Sequence, residues 1–209
     1  MSRDNWYRNV TWNAEIEEHF FEKLRRSRSQ RDQYVVLQAA ALVRSHPEQT
    51  IRLIDYYFET RTDTFDDIRA HNARAEALVA MGQTGAAIEA YKAVLQCEAI
   101  LPSFRTNARV DLPFLIAQER VESEYEYALQ LLDSAARESN PFPLYWFRLH
   151  AAFASILSAT GAIARAKEHA TAAVVAAQKT ATPLPHHPRL GLVDERQNSV
   201  LREMYRIGA

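Results

Sequence analysis

The chain of 209 residues contains one cysteine, Cys97, and only five glycines. A single thiol excludes an internal disulfide framework, which is the usual support of small secreted domains. With 25 basic and 26 acidic residues the net charge is −1, so no basic excess predicts binding to nucleic acid or to a membrane surface. No apolar run approaches the roughly 20 residues of a membrane span. We therefore expect neither a nucleic-acid nor a membrane partner.

The first twelve residues, MSRDNWYRNVTW, lack the apolar segment of a secretory signal peptide. Together with the single cysteine, this predicts a cytoplasmic location. Residues 1–12 are expected to form an irregular lead-in, and its aromatic side chains, Trp6, Tyr7 and Trp12, are expected to pack on the chain that follows.

What is abundant is alanine, leucine, glutamate and arginine, which favour helices, and 47% of the residues are hydrophobic. Apolar residues recur at helical spacing, and no alternating pattern indicates a strand. We therefore expect one all-α domain covering residues 1–209. Helices are predicted from Asn13 to about Arg28 and at about 32–44, 48–60, 66–81, 84–100, 104–121, 124–138, 144–160, 162–179 and 193–207, with a Pro/His loop at 182–190 before the last. Pro113 is expected near a kink or in the first turn of its helix.

An internal repeat organises the chain. Residues 69–93 and 148–172 match without gaps at ten of 25 positions, 79 residues apart. Each window predicts a helix, a glycine-marked turn and a second helix, the signature of a helical-repeat protein. The matched pairs that are not alanine are Arg69/Arg148, His71/His150, Leu78/Leu157, Gly82/Gly161 and Glu89/Glu168.

Small residues in both helices of a pair let the two helices approach closely. Ala75 and Ala154 lie in first helices, and Ala87 and Ala166 lie in second helices. Two further segments have a small residue at a comparable place in the second helix, Thr50 and Ala128. A left-handed turn residue is easily tolerated at the glycines between the helices.

This pattern resembles the tetratricopeptide (TPR) repeat, most clearly over residues 66–180. The residues that carry the resemblance are Ala75, Leu78, Gly82, Ala87, Tyr91 and Val94 in one repeat and Ala154, Leu157, Gly161, Ala166 and Ala173 in the other. The resemblance implies a right-handed α-solenoid of about four antiparallel helix hairpins, with additional N- and C-terminal helices. The sequence departs from the family at His71 and His150, which replace its early tryptophan, and at Gln38 and Ile116, which replace small residues.

In this family the first helices of the pairs line a groove that binds peptides or partner domains. The resemblance therefore implies a partner-binding set, which is Arg69, Asn72, Glu76, Arg105, Arg109, Arg148 and Ser155. Arginine suits such a groove because its planar guanidinium binds carboxylates in a bidentate manner. The alternative is that these arginines pair with nearby acids, Asp66, Asp67 or Glu76, and are solvated.

Histidines matched across the repeat, His71 and His150, raise the possibility of a metal site. Because they stand where the family packs a tryptophan, we interpret them as core or boundary residues and expect no metal or cofactor. No GxSxG, P-loop or GxGxxG motif occurs, so no catalytic residue is predicted. Arg165 and His169 are separated by only three residues, too few for the Arg–His motif of an all-α ribonuclease family.

The expected function is therefore that of a non-catalytic adaptor that binds a peptide or a partner protein. The second hypothesis is an immunity or inhibitor protein that neutralises one toxin domain by tight binding. Both hypotheses predict a protein partner.

Overall fold

A computed structural model describes residues 5–182, 184 and 186–209 of the chain. Within these residues the protein is all-α, as predicted, with no strand. Its ten helices are α1 (Ala14–Arg26), α2 (Arg31–Leu42), α3 (Pro47–Thr60), α4 (Asp67–Ala80), α5 (Thr84–Ile100), α6 (Ala108–Gln118), α7 (Tyr125–Ala135), α8 (Pro143–Ala159), α9 (Ile163–Ala177) and α10 (Asn198–Gly208). Residues 1–4 of the predicted lead-in, and Pro183 and Pro185 of the predicted Pro/His loop, lie outside the described residues.

Helix α6 is shorter than predicted at both ends. It begins at Ala108 rather than near 104, because the backbone N–H and the hydroxyl of Thr106 both donate to Oε1 of the buried Glu98, each at 2.7 Å. These bonds hold the preceding residues in a loop, so Arg105 does not lie on the helix to which it was assigned. Pro113 is the sixth residue of α6, so of its two predicted places the first turn is wrong, and a kink there stays a prediction.

Two compact units divide the chain, Met1–Thr106 and Asn107–Ala209. In the first unit α2 packs on α3 and α4 on α5, while α4 also contacts both α2 and α3. In the second unit α6 packs on α7 and α8 on α9, α8 also contacts α6 and α7, and α10 lies on α8 and α9. Each unit therefore contains two helix hairpins. A single domain over 1–209 stays a prediction.

The predicted packing of the lead-in is confirmed for its described residues. Trp6, Tyr7 and Trp12 pack against the core of the first unit. A buried amide ties down the same segment: Gln38 Oε1 accepts from the Asn9 backbone N–H at 3.0 Å, and Gln38 Nε2 donates to the Asn9 carbonyl at 2.8 Å. Gln38 thus holds the lead-in at a position where the repeat family has a small residue.

Three helices end in the same left-handed turn. Gly82 and Gly161 have φ of +69° and +83°, as their predicted place at the turns requires, and Arg120 has a φ of +53° after α6. In each case the next residue donates its N–H to a carbonyl five positions back. These bonds are Gln83 to Leu78 at 2.9 Å, Val121 to Ile116 at 3.0 Å and Ala162 to Leu157 at 2.8 Å. The α6–α7 hairpin therefore uses the same turn without its glycine.

The small residues between paired helices are fully buried, as predicted. This holds for Ala75, Ala87, Ala128, Ala154, Ala166 and Thr50. Thr50 shows how close the helices are, since its hydroxyl on α3 donates to the Ala39 carbonyl on α2 at 3.0 Å. A side chain this short reaches the neighbouring backbone only where two helices are in contact.

Candidate functional site

In the first unit, Arg69 forms an ion pair near the start of α4. Its Nη1 lies 2.6 Å from Oδ1 of the buried Asp66. The guanidinium also lies over the rings of Phe104 and Phe65, at 4.7 and 6.0 Å from their centroids. The pairing with Asp66 is the one named in the alternative interpretation.

The other predicted residues of this unit also have local partners. Asn72 donates its amide to Glu76 Oε1 at 2.8 Å, one turn along α4, and both side chains lie at the surface. Arg105, in the loop before α6, lies 3.8 Å from Glu98 Oε2. The contribution of these residues to partner binding stays a prediction.

In the second unit, the three predicted residues have hydrogen-bond partners on three different helices. Arg109 Nη1 donates to Ser134 Oγ on α7 at 3.4 Å. On α8, Arg148 Nη1 donates to Asp111 Oδ1 on α6 at 2.6 Å, and Ser155 contacts Glu203 on α10 at 3.5 Å. Of these three, Arg148 borders a cavity.

The cavity has a volume of about 270 Å³. It lies at the N-terminal ends of α6 and α8, where residues 190–191 return to the start of α8. Among the described residues its lining is Asn107, Asp111, Phe142, Leu144, Tyr145, Arg148, Leu190 and Gly191. Apolar walls with a few polar groups are typical of binding pockets.

Glycine is required at position 191 to build this wall. Its φ is +75°, and a Cβ there would lie 2.3 Å from Cδ1 of Phe142. The Gly191 carbonyl accepts from the Leu144 N–H at 2.8 Å. This bond holds the loop against the first turn of α8, so residues 190–191 form a fixed wall of the cavity.

The ring of Tyr145 forms a wall, while its hydroxyl points to α7. The hydroxyl donates to the Ala135 carbonyl at 3.1 Å and lies 3.3 Å from Glu138 Oε2. Burial and the nearby Glu138 carboxylate both raise the pKa of this phenol, so Tyr145 stays neutral and is held in place. Tyr145 and Phe147 are buried in the core, while Trp146 between them is only partly buried.

An ion pair occupies the polar end of the cavity. The side chains of Asp111 and Arg148 are 12% and 28% exposed, and the guanidinium also lies over the Phe114 ring. Removal from water raises the pKa of the Asp111 carboxyl, and the adjacent Arg148 guanidinium opposes that rise. The pair is neutral as a whole and presents polar atoms to an apolar space.

A second cluster in this unit pairs two histidines. The Nδ1 atoms of His150 on α8 and His169 on α9 are 3.0 Å apart, and the Phe153 ring stacks on His169 at 4.3 Å between centroids. His71, matched to His150 in the repeat, instead contacts Phe58 at 4.7 Å. Both matched histidines are partly buried, in agreement with a boundary position. Among the described residues, no group of three or more His, Cys, Asp or Glu side chains is arranged to hold a metal ion.

Comparisons with protein-family models, with curated proteins and with solved structures gave no match for this chain. The resemblance to TPR repeats therefore stays a prediction from the sequence pattern. In the part of the chain that the structure describes, no helix has both the length and the apolar character to cross a bilayer.

The resemblance to TPR repeats named Arg148 as a predicted partner-binding residue but gave no indication of the cavity. Asp111 lies on α6, whose sequence lacks the first-helix pattern of the repeat, and Gly191 lies in a loop without any motif. No local sequence signal links these two residues to Arg148, since they lie 37 and 43 positions away from it.

Proposed function

We propose that this chain is a non-catalytic protein-interaction module, with its hairpins stacked as a TPR-like right-handed α-solenoid, and that it binds a peptide or a partner protein. The observation that carries the proposal is the apolar cavity beside Arg148. The resemblance to TPR repeats separately implies that Arg148 belongs to the partner-binding set.

Helix packing within each unit supports the solenoid part of the proposal. The first helices of successive hairpins contact each other, α2 with α4 in the first unit and α6 with α8 in the second. The second helix of one hairpin also contacts the first helix of the next, α3 with α4 and α7 with α8. Stacked hairpins in a repeat protein require both contacts.

The chemistry of the cavity supports a protein partner. Arginine and aromatic residues are enriched where binding energy concentrates in protein interfaces. Here Arg148 lies beside the aromatic walls formed by Phe142 and Tyr145, and Leu190 is 55% exposed at the edge of the cavity. A partner side chain that enters the cavity buries apolar surface on all of these groups.

Affinity capture followed by reconstitution tests the proposal. The immobilised full chain is exposed to native lysate, captured proteins are identified, and the dissociation constant of each purified candidate is measured by calorimetry. We expect a partner with a Kd below about 100 µM. Replacing the ion pair with apolar residues, Asp111→Leu with Arg148→Met, should weaken that partner at least about tenfold with little change in stability.

An exposed arginine on α9 provides the matched control. Arg165→Ala should leave the Kd of the partner unchanged, because Arg165 does not line the cavity. The proposal fails if no purified candidate binds at that affinity. It also fails if the purified chain turns over a substrate and a single substitution abolishes that turnover.

A further inference from the structure

We propose that the cavity beside Arg148 receives a tryptophan or tyrosine side chain of the partner, whose N–H or O–H donates to the Asp111 carboxylate. This inference rests on the proposed function and specifies the anchor residue of the partner.

The size and walls of the cavity fit one large aromatic side chain. About 270 Å³ is too little for a helix, and the walls are mostly apolar, formed by Phe142, Leu144, Tyr145 and Leu190. An aromatic side chain buries roughly 150–250 Å² and has few rotatable bonds, so little conformational entropy is lost when it is held. Its flat ring can pack against the rings of Phe142 and Tyr145.

The polar end of the cavity has spare capacity to accept hydrogen bonds. An ionised carboxylate has about four lone-pair positions. Among the described residues, the Asp111 carboxylate accepts one hydrogen bond, from Arg148 Nη1 to its Oδ1 atom. Asn107 precedes α6 without capping it through its side chain, and its amide lies exposed beside the cavity. A donor that enters the cavity therefore finds an acceptor already in place.

Charge decides which donor fits. Asp111 and Arg148 already neutralise each other, so a lysine or arginine from the partner adds an unbalanced positive charge beside the Arg148 guanidinium in an apolar space. An acidic side chain faces the Asp111 carboxylate instead. Phenylalanine fills the space but displaces water from Asp111 without replacing its hydrogen bond. An indole N–H or a phenol O–H supplies a neutral donor and avoids these penalties.

Four small probes, three neutral and one positively charged, test this preference on the full chain. The probes are N-acetyl-tryptophanamide, N-acetyl-tyrosinamide, N-acetyl-phenylalaninamide and N-acetyl-lysinamide, titrated into methyl-labelled protein and followed by NMR. We expect the methyl signals of Leu144 and Leu190 to shift with the first two probes. The tryptophan and tyrosine probes should bind about tenfold more tightly than the phenylalanine probe, as expected for one hydrogen bond to a charged group.

A methylated probe measures the contribution of the indole N–H to binding without any change in the protein. N-acetyl-1-methyl-tryptophanamide lacks the indole N–H, and we expect it to bind about tenfold more weakly than its parent. If it binds equally well, or if the phenylalanine probe binds as tightly as the tryptophan probe, the hydrogen bond to Asp111 is refuted.

Two variants locate the binding site. Leu190→Ala removes one wall of the cavity and should weaken the tryptophan probe severalfold. Val175→Ala is the matched control, because Val175 is 54% exposed against 55% for Leu190 and lies on α9 away from the cavity. Equal probe affinity in the two variants refutes the cavity as the binding site.

Substitutions in the captured partner distinguish a failure of this inference from a failure of the proposed function. If each tryptophan and tyrosine of the partner can be changed to leucine without loss of affinity, the aromatic anchor is wrong and the interaction module stands. If no partner binds, the proposed function fails, and the partner anchor fails with it whatever the probes do. Loss of binding on one such substitution supports both.

Discussion

His150 and His169 form a hydrogen bond between like atoms, with their Nδ1 nitrogens 3.0 Å apart. A neutral imidazole carries one N–H, so one ring must donate from Nδ1 while the other accepts there and holds its proton on Nε2. A further proton on the accepting ring leaves two donors facing each other. Burial, and then the neighbouring His169, lower the pKa of His150 to about 4. Burial also lowers the pKa of His169, reinforced by Arg165 and opposed by Glu168 and by Asp133 on α7.

This pair should make the protein less stable in mild acid. In the unfolded chain a histidine takes up a proton near pH 6.5, whereas folded His150 resists protonation down to about pH 4. The unfolded state therefore binds more protons across this window. The contribution of neutral His150 to the free energy of unfolding is therefore fully present above pH 6.5. It is lost as the pH falls toward 4. After allowing for solvent screening, we expect a loss of about 1 kcal/mol from His150 between pH 7.5 and 5.5, measured by urea unfolding.

The variant His150→Gln should reduce this pH dependence. Glutamine can still exchange a hydrogen bond with His169 but does not titrate. His187→Gln, in the exposed loop before α10, is the control and should leave the pH dependence of unfolding unchanged. An unaltered pH dependence in His150→Gln contradicts the assignment of the effect to this pair.

The repeat marked one of these two histidines as a core or boundary position and gave no indication that it contacts the other. His150 has a matched residue in the first copy, His71, and this match marked it as a position between helices. His169 is matched by Ala90, so the alignment of the two copies assigned it no role. Two copies of a repeat reveal positions that both copies retain, and a contact present in only one copy becomes visible only in the structure.

Helices and turns could be predicted because they depend on neighbouring residues. The spacing of apolar residues predicted the helices, and Gly82 and Gly161 predicted two of the turns. The early end of α6 could not be predicted in this way, because Arg120 adopts the left-handed turn without being glycine. The cavity depends on Gly191 lying against Phe142, a contact 49 residues apart that no local pattern encodes.

Arg120→Gly should stabilise the second unit. A left-handed conformation costs a residue with a Cβ about 1–2 kcal/mol, and the greater freedom of glycine in the unfolded chain offsets part of this gain. Arg120 is exposed, with φ of +53°. We expect a gain of about 0.5–1 kcal/mol in the free energy of unfolding, measured by urea titration.

The reverse substitution provides the comparison. Gly161→Ala places a Cβ at φ of +83°, where no other atom lies within 4 Å, so strain in the backbone is the only penalty. It should destabilise by about 1 kcal/mol. Arg120→Gly and Gly161→Ala must therefore have opposite signs, and the same sign in both would mean that the two turns are not equivalent.

Tyr57→Phe should destabilise the first unit. The hydroxyl of Tyr57 donates to Asp67 Oδ1 at 2.8 Å, and Arg61 Nε lies 3.2 Å from the same oxygen. Burial raises the pKa of the phenol, with the Asp67 carboxylate adding to the rise. Losing a buried hydrogen bond to a charged group costs about 1.5–3 kcal/mol. Thermal unfolding should show this loss, whereas Tyr205→Phe, at a side chain 55% exposed, should not.

Ala166→Leu tests the close approach of α8 and α9. Ala166 is fully buried on α9, whose contact with α8 is among the most extensive in the second unit, so we expect three additional carbons to overpack this contact. Overpacking of this kind costs roughly 1–3 kcal/mol or more, which should appear as a lower urea midpoint with an unchanged denaturant slope. Ala164→Leu, at an exposed position two residues earlier on α9, adds the same carbons and should be nearly neutral. If both variants unfold at the midpoint of the parent, α8 and α9 do not interlock at Ala166, and the helix-hairpin repeat loses its physical basis.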